Sequence, residues 1–190
     1  MPKPWDMHVV VDATGSDGCR ARPRSAHRDG TGAHMVVQAG PLRVYALDAL
    51  SMTDLTSAWA AAHIRGAHLL PIELPRPTRS AQPTLGIAYP IAEVVVEGRQ
   101  RWNVRPPQRG RPFLEVGVGW LTVRVHDRIA LDTQVRSWAE ASAFAVRIFG
   151  RNRMPSFDAL LEQQQIRAVR EAAAHDDRRI ERGRGRGRDR

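Results

Sequence analysis

The residues with the clearest chemistry are the arginines of the last thirteen residues, which read RRIERGRGRGRDR. Seven arginines and two acidic residues give this segment a net charge of +5, out of +9 for the 190-residue chain. Guanidinium groups pair with phosphates, and alternating glycines leave each of them free to follow an anionic polymer. The sequence therefore predicts nucleic-acid-binding residues at Arg178, Arg179, Arg182, Arg184, Arg186, Arg188 and Arg190.

A second basic group lies in the middle of the chain, between two predicted strands and in the loop that follows them. It consists of Arg99, Arg101, Arg105, Arg109 and Arg111, with Trp102 among them. Arginines beside an aromatic ring can hold single-stranded nucleic acid by phosphate pairing and base stacking. The alternative interpretation is that these arginines are solvated loop residues and that Trp102 points into the core.

Composition leaves the role of the basic tail open. Of the 29 basic residues only Lys3 is a lysine, and a GC-rich genome produces the same bias whatever the protein does. The tail could thus be a non-specific nucleic-acid arm, a solubilising end, or a contact for an acidic protein or an anionic membrane surface. A basic net charge bears on partners rather than on fold.

Catalytic and metal-binding patterns are not evident in the sequence. The seven histidines lack a metal-ligand spacing, and the single cysteine, Cys19, excludes an internal disulfide and a multi-thiolate zinc site. The His126-Asp127 pair could orient an imidazole, but no serine or cysteine nucleophile can be assigned to it. We therefore expect a protein that is not an enzyme, with no cofactor, no metal and no small-molecule substrate.

The N-terminal half contains one helical pattern between short strand-like runs. Residues 7–11 are β-like, whereas residues 12–34 are rich in glycine and arginine and read as a loop. Strands are predicted at 35–38, 42–47 and 68–74. A helix is predicted to begin at a capping box formed by Ser51 and Asp54, to have one apolar face, and to end near Gly66.

The second half reads as strands followed by helices. Residues 87–96 and 101–104 flank a glycine-containing link and predict a hairpin, a further strand is predicted at 113–117, and residues 120–126 alternate strictly. Two helices follow, the first capped by Asp127 or Asp132 with an apolar stripe through Trp138. The second becomes highly charged and is predicted to fray before Arg178.

These patterns predict an α+β fold, with an antiparallel meander sheet, one helix in the N-terminal half and two C-terminal helices. The predicted organisation is an irregular N-terminal arm (residues 1–34), a single α+β domain (35–175) and a disordered Arg-Gly tail (176–190). No apolar run approaches the length needed to cross a bilayer and no signal-peptide core is visible, so a cytoplasmic location is expected.

The block from Trp120 to Gly150 resembles a segment of small transfer and spread proteins of actinobacterial conjugative plasmids. The matching features are a strand ending in Val-x-Val-x-Asp, then Ala-Leu-Asp, Val-Arg-x-Trp-x-Glu-Ala and a closing Phe-Gly. The resemblance implies an accessory role in plasmid transfer or intramycelial spread, with other transfer proteins as further partners. It carries over no catalytic residues and does not itself indicate DNA binding. A protein-interaction module without nucleic-acid binding, or a small enzyme with an unrecognised site, are the alternatives.

Overall fold

The computed structural model describes residues 9–14, 24–26, 34–39, 42–74, 92–150 and 152–185. Over these residues the chain forms eight strands and three helices. The strands are β1 (Val9–Ala13), β2 (Arg24–Ala26), β3 (His34–Ala39), β4 (Leu42–Ala46), β5 (Ala92–Val96), β6 (Trp102–Arg105), β7 (Leu114–Val118) and β8 (Leu121–Val125). The helices are α1 (Ala49–Gly66), α2 (Arg128–Phe149) and α3 (Phe157–Gly185).

The strands are divided between two four-stranded sheets. Sheet I has the order β1-β8-β7-β6 and sheet II the order β2-β3-β4-β5. Both are mixed, because β1 pairs with β8 and β4 with β5 in parallel while the other pairs are antiparallel. The α+β class is confirmed, whereas the single antiparallel meander was wrong. The predicted hairpin of β5 and β6 does not form, since these strands belong to different sheets.

The N-terminal residues contribute to both sheets rather than forming an irregular arm throughout. β1 extends the edge of sheet I, where Val9 pairs with Leu121 and Ala13 with Val125, and Ala13 is buried in the core. β2 pairs with β3. Without β1, β8 would be an edge strand with unpaired backbone groups, and the short segment β1 satisfies them by parallel pairing. Strands β1 and β2 thus pair with strands of the predicted domain, and the division of the chain at residue 35 stays a prediction.

Helix α1 occupies the centre of the molecule. All residues from Asp54 to Ala62 are buried, so the helix is covered on every side rather than on the single face predicted. Small residues such as Ser57, Ala58 and Ala61 make this possible, because neighbouring elements can approach the backbone closely. Its N-cap is Asp48, three residues before the predicted Ser51. Residues 68–74, predicted as a strand, form turns and irregular structure instead.

One core joins both sheets to α1 and α2. Val44 of sheet II and Val116 of sheet I belong to the same buried cluster. The Trp59 and Trp138 rings of the two helices stack with their centroids 6.3 Å apart. At the end of α1, a Cβ on Gly66 would lie 2.6 Å from a Leu114 methyl carbon, so only glycine allows this approach to β7.

Helix α2 begins directly after Asp127, one of the two caps that the sequence predicts. Asp127 caps α2 by accepting a hydrogen bond from the amide of Ala130 (2.8 Å), and Trp138 on its apolar stripe is 1% exposed. Helix α3 packs its first turns on α1 near Ala60, and an ion pair of 2.9 Å joins Arg65 to Glu171.

Beyond Glu171 the helical backbone of α3 continues to Gly185. The tail predicted to be disordered from residue 176 is therefore helical as far as residue 185, and residues 186–190 lie outside the described residues. Most residues between 171 and 182 are good helix formers, which extend a helix already nucleated by packing. Within the described part of the chain, no helix is long and apolar enough to cross a membrane.

We expect Trp138→Ala to lower the free energy of unfolding by about 3–5 kcal/mol, because it removes a fully buried ring and its stacking on Trp59. The indole N–H also donates to Gln134 Oε1 (3.2 Å), so Trp138→Phe should cost less than Trp138→Ala but lose this hydrogen bond. Urea denaturation of both variants tests this. An unchanged denaturation midpoint in Trp138→Ala would contradict the observed core.

Candidate nucleic-acid interface

The central basic residues begin within a crossover, residues 97–101, that carries the chain from sheet II to sheet I. Two carboxylates at the start of α1 hold it: Asp48 Oδ2 accepts a hydrogen bond from the amide of Gly98 (2.6 Å), and Asp54 Oδ2 accepts one from the amide of Gln100 (2.7 Å). Gly98 has a φ of 66°, which glycine adopts without strain. The crossover therefore has a fixed path, and β6 begins at a fixed position.

Arg99 takes part in the same arrangement. Its guanidinium donates to Asp54 Oδ1 at 3.3 Å, although the Arg99 side chain is 70% exposed. Asp54 itself is buried, and a buried carboxylate requires such partners. Arg99 thus neutralises an internal acid, and it is less available to an external phosphate than its exposure suggests.

Arg101, the last residue of the crossover, and Arg105, the last residue of β6, lie on the face of sheet I that points away from α1. The alternation of the strand places Val104 in the core and Asn103 and Arg105 on this outer face. A groove of about 260 Å³ runs along it. The groove is lined by Arg101, Trp102, Asn103, Arg105, Glu115, Gly117, Gly119 and Thr122.

The charge of the groove is set by one ion pair and one further arginine. Arg105 lies opposite Glu115 in the register of β6 and β7, and their side chains approach to 3.0 Å. Glu115 is largely buried at 14% exposure, whereas Arg105 remains 57% exposed. Arg101 is exposed, and no ion pair joins it to another residue in the described ranges. The groove therefore has a net positive charge.

Two glycines give the groove its depth. A Cβ on Gly117 would lie 2.6 Å from Asn103 Oδ1, and one on Gly119 would lie 2.5 Å from Gln100 Oε1. Any other residue at these positions would displace the neighbouring amide side chain. The glycines thus leave room for Asn103 beside Thr122, which follows Gly117 across the sheet.

The remaining predicted residues lie elsewhere. Trp102 lines the groove but is half-buried and packs against the core, so only part of its ring can serve as a stacking surface. Arg111 folds back and donates to the carbonyl of Pro106 (3.0 Å), which stabilises its loop. Arg109 is exposed in that loop.

The tail arginines are only partly within the described structure. Residues 178, 179, 182 and 184 lie on the helical backbone of α3, and Arg186, Arg188 and Arg190 fall outside the described residues.

The sequence did not reveal a polar cluster farther along the same face. His126 Nε2 lies 2.7 Å from Asp12 Oδ1, and the guanidinium carbon of Arg124 lies 5.0 Å from the ring centre of Phe113. The adjacent pair of His126 and Asp127 in the sequence suggested an oriented imidazole, but Asp127 caps α2. The alternation of residues 120–126 predicts that Arg124 and His126 lie on the solvent-facing side of the strand. The contact of His126 with Asp12 depends on the parallel pairing of β1 with β8, which no local sequence pattern indicates.

The described residues contain no group of three histidine, cysteine or acidic side chains arranged to hold a metal ion. Comparison of the chain with protein-family models, with curated proteins and with solved structures gave no match. The resemblance to plasmid transfer proteins accordingly stays a prediction.

The hydrogen bonds that hold the crossover also predict a pH dependence. Burial raises the pKa of Asp48, but hydrogen bonds from the backbone amides of Ser51 and Gly98 outweigh it and keep the pKa below its ordinary value of 3.8. A carboxyl group whose pKa is lowered by folding stabilises the protein above its unfolded-state pKa, and this contribution is lost as the pH falls through the folded-state pKa.

We therefore expect Asp48→Ala to lower the free energy of unfolding by about 1–2 kcal/mol at neutral pH, the usual cost of a lost N-cap. As the pH falls below about 4, the free energy of unfolding should decrease less in Asp48→Ala than in the parent protein, because the variant has no Asp48 carboxylate to protonate. Urea midpoints measured from pH 7 to pH 2.5 test this. Asp158→Ala, at an exposed position in the first turn of α3, is the matched control. Parallel pH profiles for the parent and Asp48→Ala would contradict the role given to Asp48.

Proposed function

We propose that this chain is a non-enzymatic accessory protein of conjugative plasmid transfer or intramycelial spread that contacts nucleic acid without sequence preference. The observation that carries the nucleic-acid part is the groove on sheet I, where exposed Arg101 and Arg105 flank a polar surface built on a fixed strand. The plasmid-transfer part is supported by the resemblance of residues 120–150 alone.

The distribution of arginines supports contact with phosphates rather than with base edges. Arg99 and Arg111 are engaged by Asp54 and by the Pro106 carbonyl, whereas Arg101, Arg105 and Arg109 keep exposed guanidinium groups. Phosphate contacts fix position and carry no sequence information directly. The arginines at the end of α3 add positive charge but no recognition of base edges. Together these features favour binding of low sequence specificity.

A protein-interaction module is the second candidate function, and one observation favours it. Ile166 and Val169 on α3 are 45% and 70% exposed, and they lie three residues apart on a helix. Such spacing places both on one side of the helix, where a partner helix could cover them. In this alternative the basic residues would contact acidic protein surfaces or an anionic membrane rather than nucleic acid.

We predict that removing residues 178–190 lowers the slope of log affinity against log salt concentration on a single-stranded oligonucleotide. Each phosphate contact contributes about 0.7 to this slope on a single strand, so seven arginines account for at most about 5. The measurement is a salt titration of fluorescence anisotropy with the full-length and the shortened protein. Residues 178–190 lie beyond the part of α3 that is joined to α1, so the fold should be retained.

The control retains the charge: a variant with all seven tail arginines replaced by lysine should keep most of the slope, because the slope depends on the number of phosphates neutralised. Equal slopes for full-length and shortened protein would remove the tail from the interface. No binding even at low salt would reject nucleic acid as a partner and leave the interaction module ahead.

A further inference from the structure

We infer that the groove on sheet I is a site for single-stranded nucleic acid, whose backbone runs along β6 with phosphates at Arg101 and Arg105 and with one base against the Asn103 amide, beside Thr122. This inference rests on the proposed nucleic-acid contact, and it adds the kind of strand and the residues that hold it.

The spacing of the charged residues along β6 fits an extended nucleic-acid backbone. Side chains on one face of a β-strand recur about every 6.6 Å, so Arg101 and Arg105 lie about 13 Å apart along the strand direction, with Asn103 midway. Two phosphates that are not neighbours on the strand can therefore contact the two arginines, which leaves the nucleotide between them beside Asn103. This spacing suits a bound strand, and the preference for an unpaired strand rests on the base position.

The interior of the groove suits a base rather than a further phosphate. Asn103 is exposed and its side-chain amide, which lies over Gly117, both donates and accepts, and Thr122 brings a hydroxyl group to the same groove. The cavity of about 260 Å³ lies just below the range of about 300–1,000 Å³ typical of small-molecule pockets, which fits one nucleotide unit. A base can enter only when it is unpaired, since a duplex keeps it stacked inside.

Glu115 has a positioning role in this arrangement. It lies below the surface at 14% exposure and pairs with the guanidinium of Arg105 at 3.0 Å, which orients Arg105 while leaving its other N–H groups for a phosphate. Because Arg105 offsets its charge, the carboxylate does not oppose the phosphate as a free acid would.

The test compares two probes: fluorescein-labelled oligodeoxythymidylate and a blunt DNA duplex of the same length. The double variant Arg101→Gln/Arg105→Gln should lower the salt slope on the single strand by about 1.4, corresponding to two lost phosphate contacts, and should change duplex binding less. The matched control is Arg43→Gln/Arg136→Gln. Arg43 also belongs to a cross-strand Arg–Glu pair, at 2.7 Å from Glu93 on sheet II, and Arg136 is exposed on α2.

A second variant, Gly117→Val, tests the base position without changing charge. Gly117 has no positive φ, and valine favours strands, so the backbone accepts the change; its Cβ would displace only the flexible Asn103 amide. Affinity for the single strand should fall several-fold with the salt slope unchanged. Thermal melting verifies the fold, and Gly117→Ala replaces the valine variant if its melting temperature falls.

The outcomes separate this inference from the proposed function. Binding of the single strand that is unaffected by both groove variants overturns the groove site while leaving nucleic-acid binding through the tail intact. A stronger loss on the duplex than on the single strand also overturns it. Absence of binding to either probe by the parent protein overturns the proposed function itself.

Discussion

The burial of the middle of α1, from Asp54 to Ala62, is the constraint on which the rest of the structure depends. A helix enclosed on all sides needs small residues where neighbours approach, as Gly66 shows against Leu114. It also needs partners for every polar group near its start. Asp54, buried in the first turns, finds them in the amide of Gln100 and the guanidinium of Arg99. The central helix therefore determines how the chain must pass from one sheet to the other.

The path of this crossover links the core to the candidate interface. Asp48 both caps α1 and accepts the amide of Gly98, so one carboxylate fixes the helix start and the exit from β5. The chain enters β6 directly afterwards, with Arg101 on the outer surface. The two arginines of the groove are therefore attached to an edge strand whose start is held by hydrogen bonds from the crossover to Asp48 and Asp54. Side chains on such a fixed strand are held in place before any ligand binds.

The sequence predicted what is encoded by local patterns and missed what depends on distant pairing. The alternation of residues 120–126 and the cap at Asp127 are local, and both were confirmed. The glycine-containing link at residues 97–100 was interpreted as a hairpin, because a crossover held by Asp48 uses the same turn residue. The parallel pairing of β1 with β8 joins segments more than one hundred residues apart, and no local signal marks it.

The same limits apply to the candidate site. Arg101, Trp102 and Arg105 are close in the sequence and line the same groove. The sequence does not distinguish them from Arg99 and Arg111, whose guanidinium groups are hydrogen-bonded to Asp54 and to the Pro106 carbonyl. That distinction requires knowing which acids and carbonyls lie nearby in space. Gly117 gave no signal of its own, since its importance comes from the Asn103 side chain across the strand pair.

The C-terminal part of α3 extends beyond the core of the molecule. At about 1.5 Å per residue, the 14 residues that follow Glu171, up to Gly185, extend roughly 20 Å beyond the last ion pair with α1. A helical spacer holds its end at a set distance, whereas a flexible linker would let it sample many. Two weak attachments on one polymer reinforce each other only when the spacer matches the span between them. The length of this helix would therefore decide which segments of a bound polymer the two ends of the molecule could hold at once.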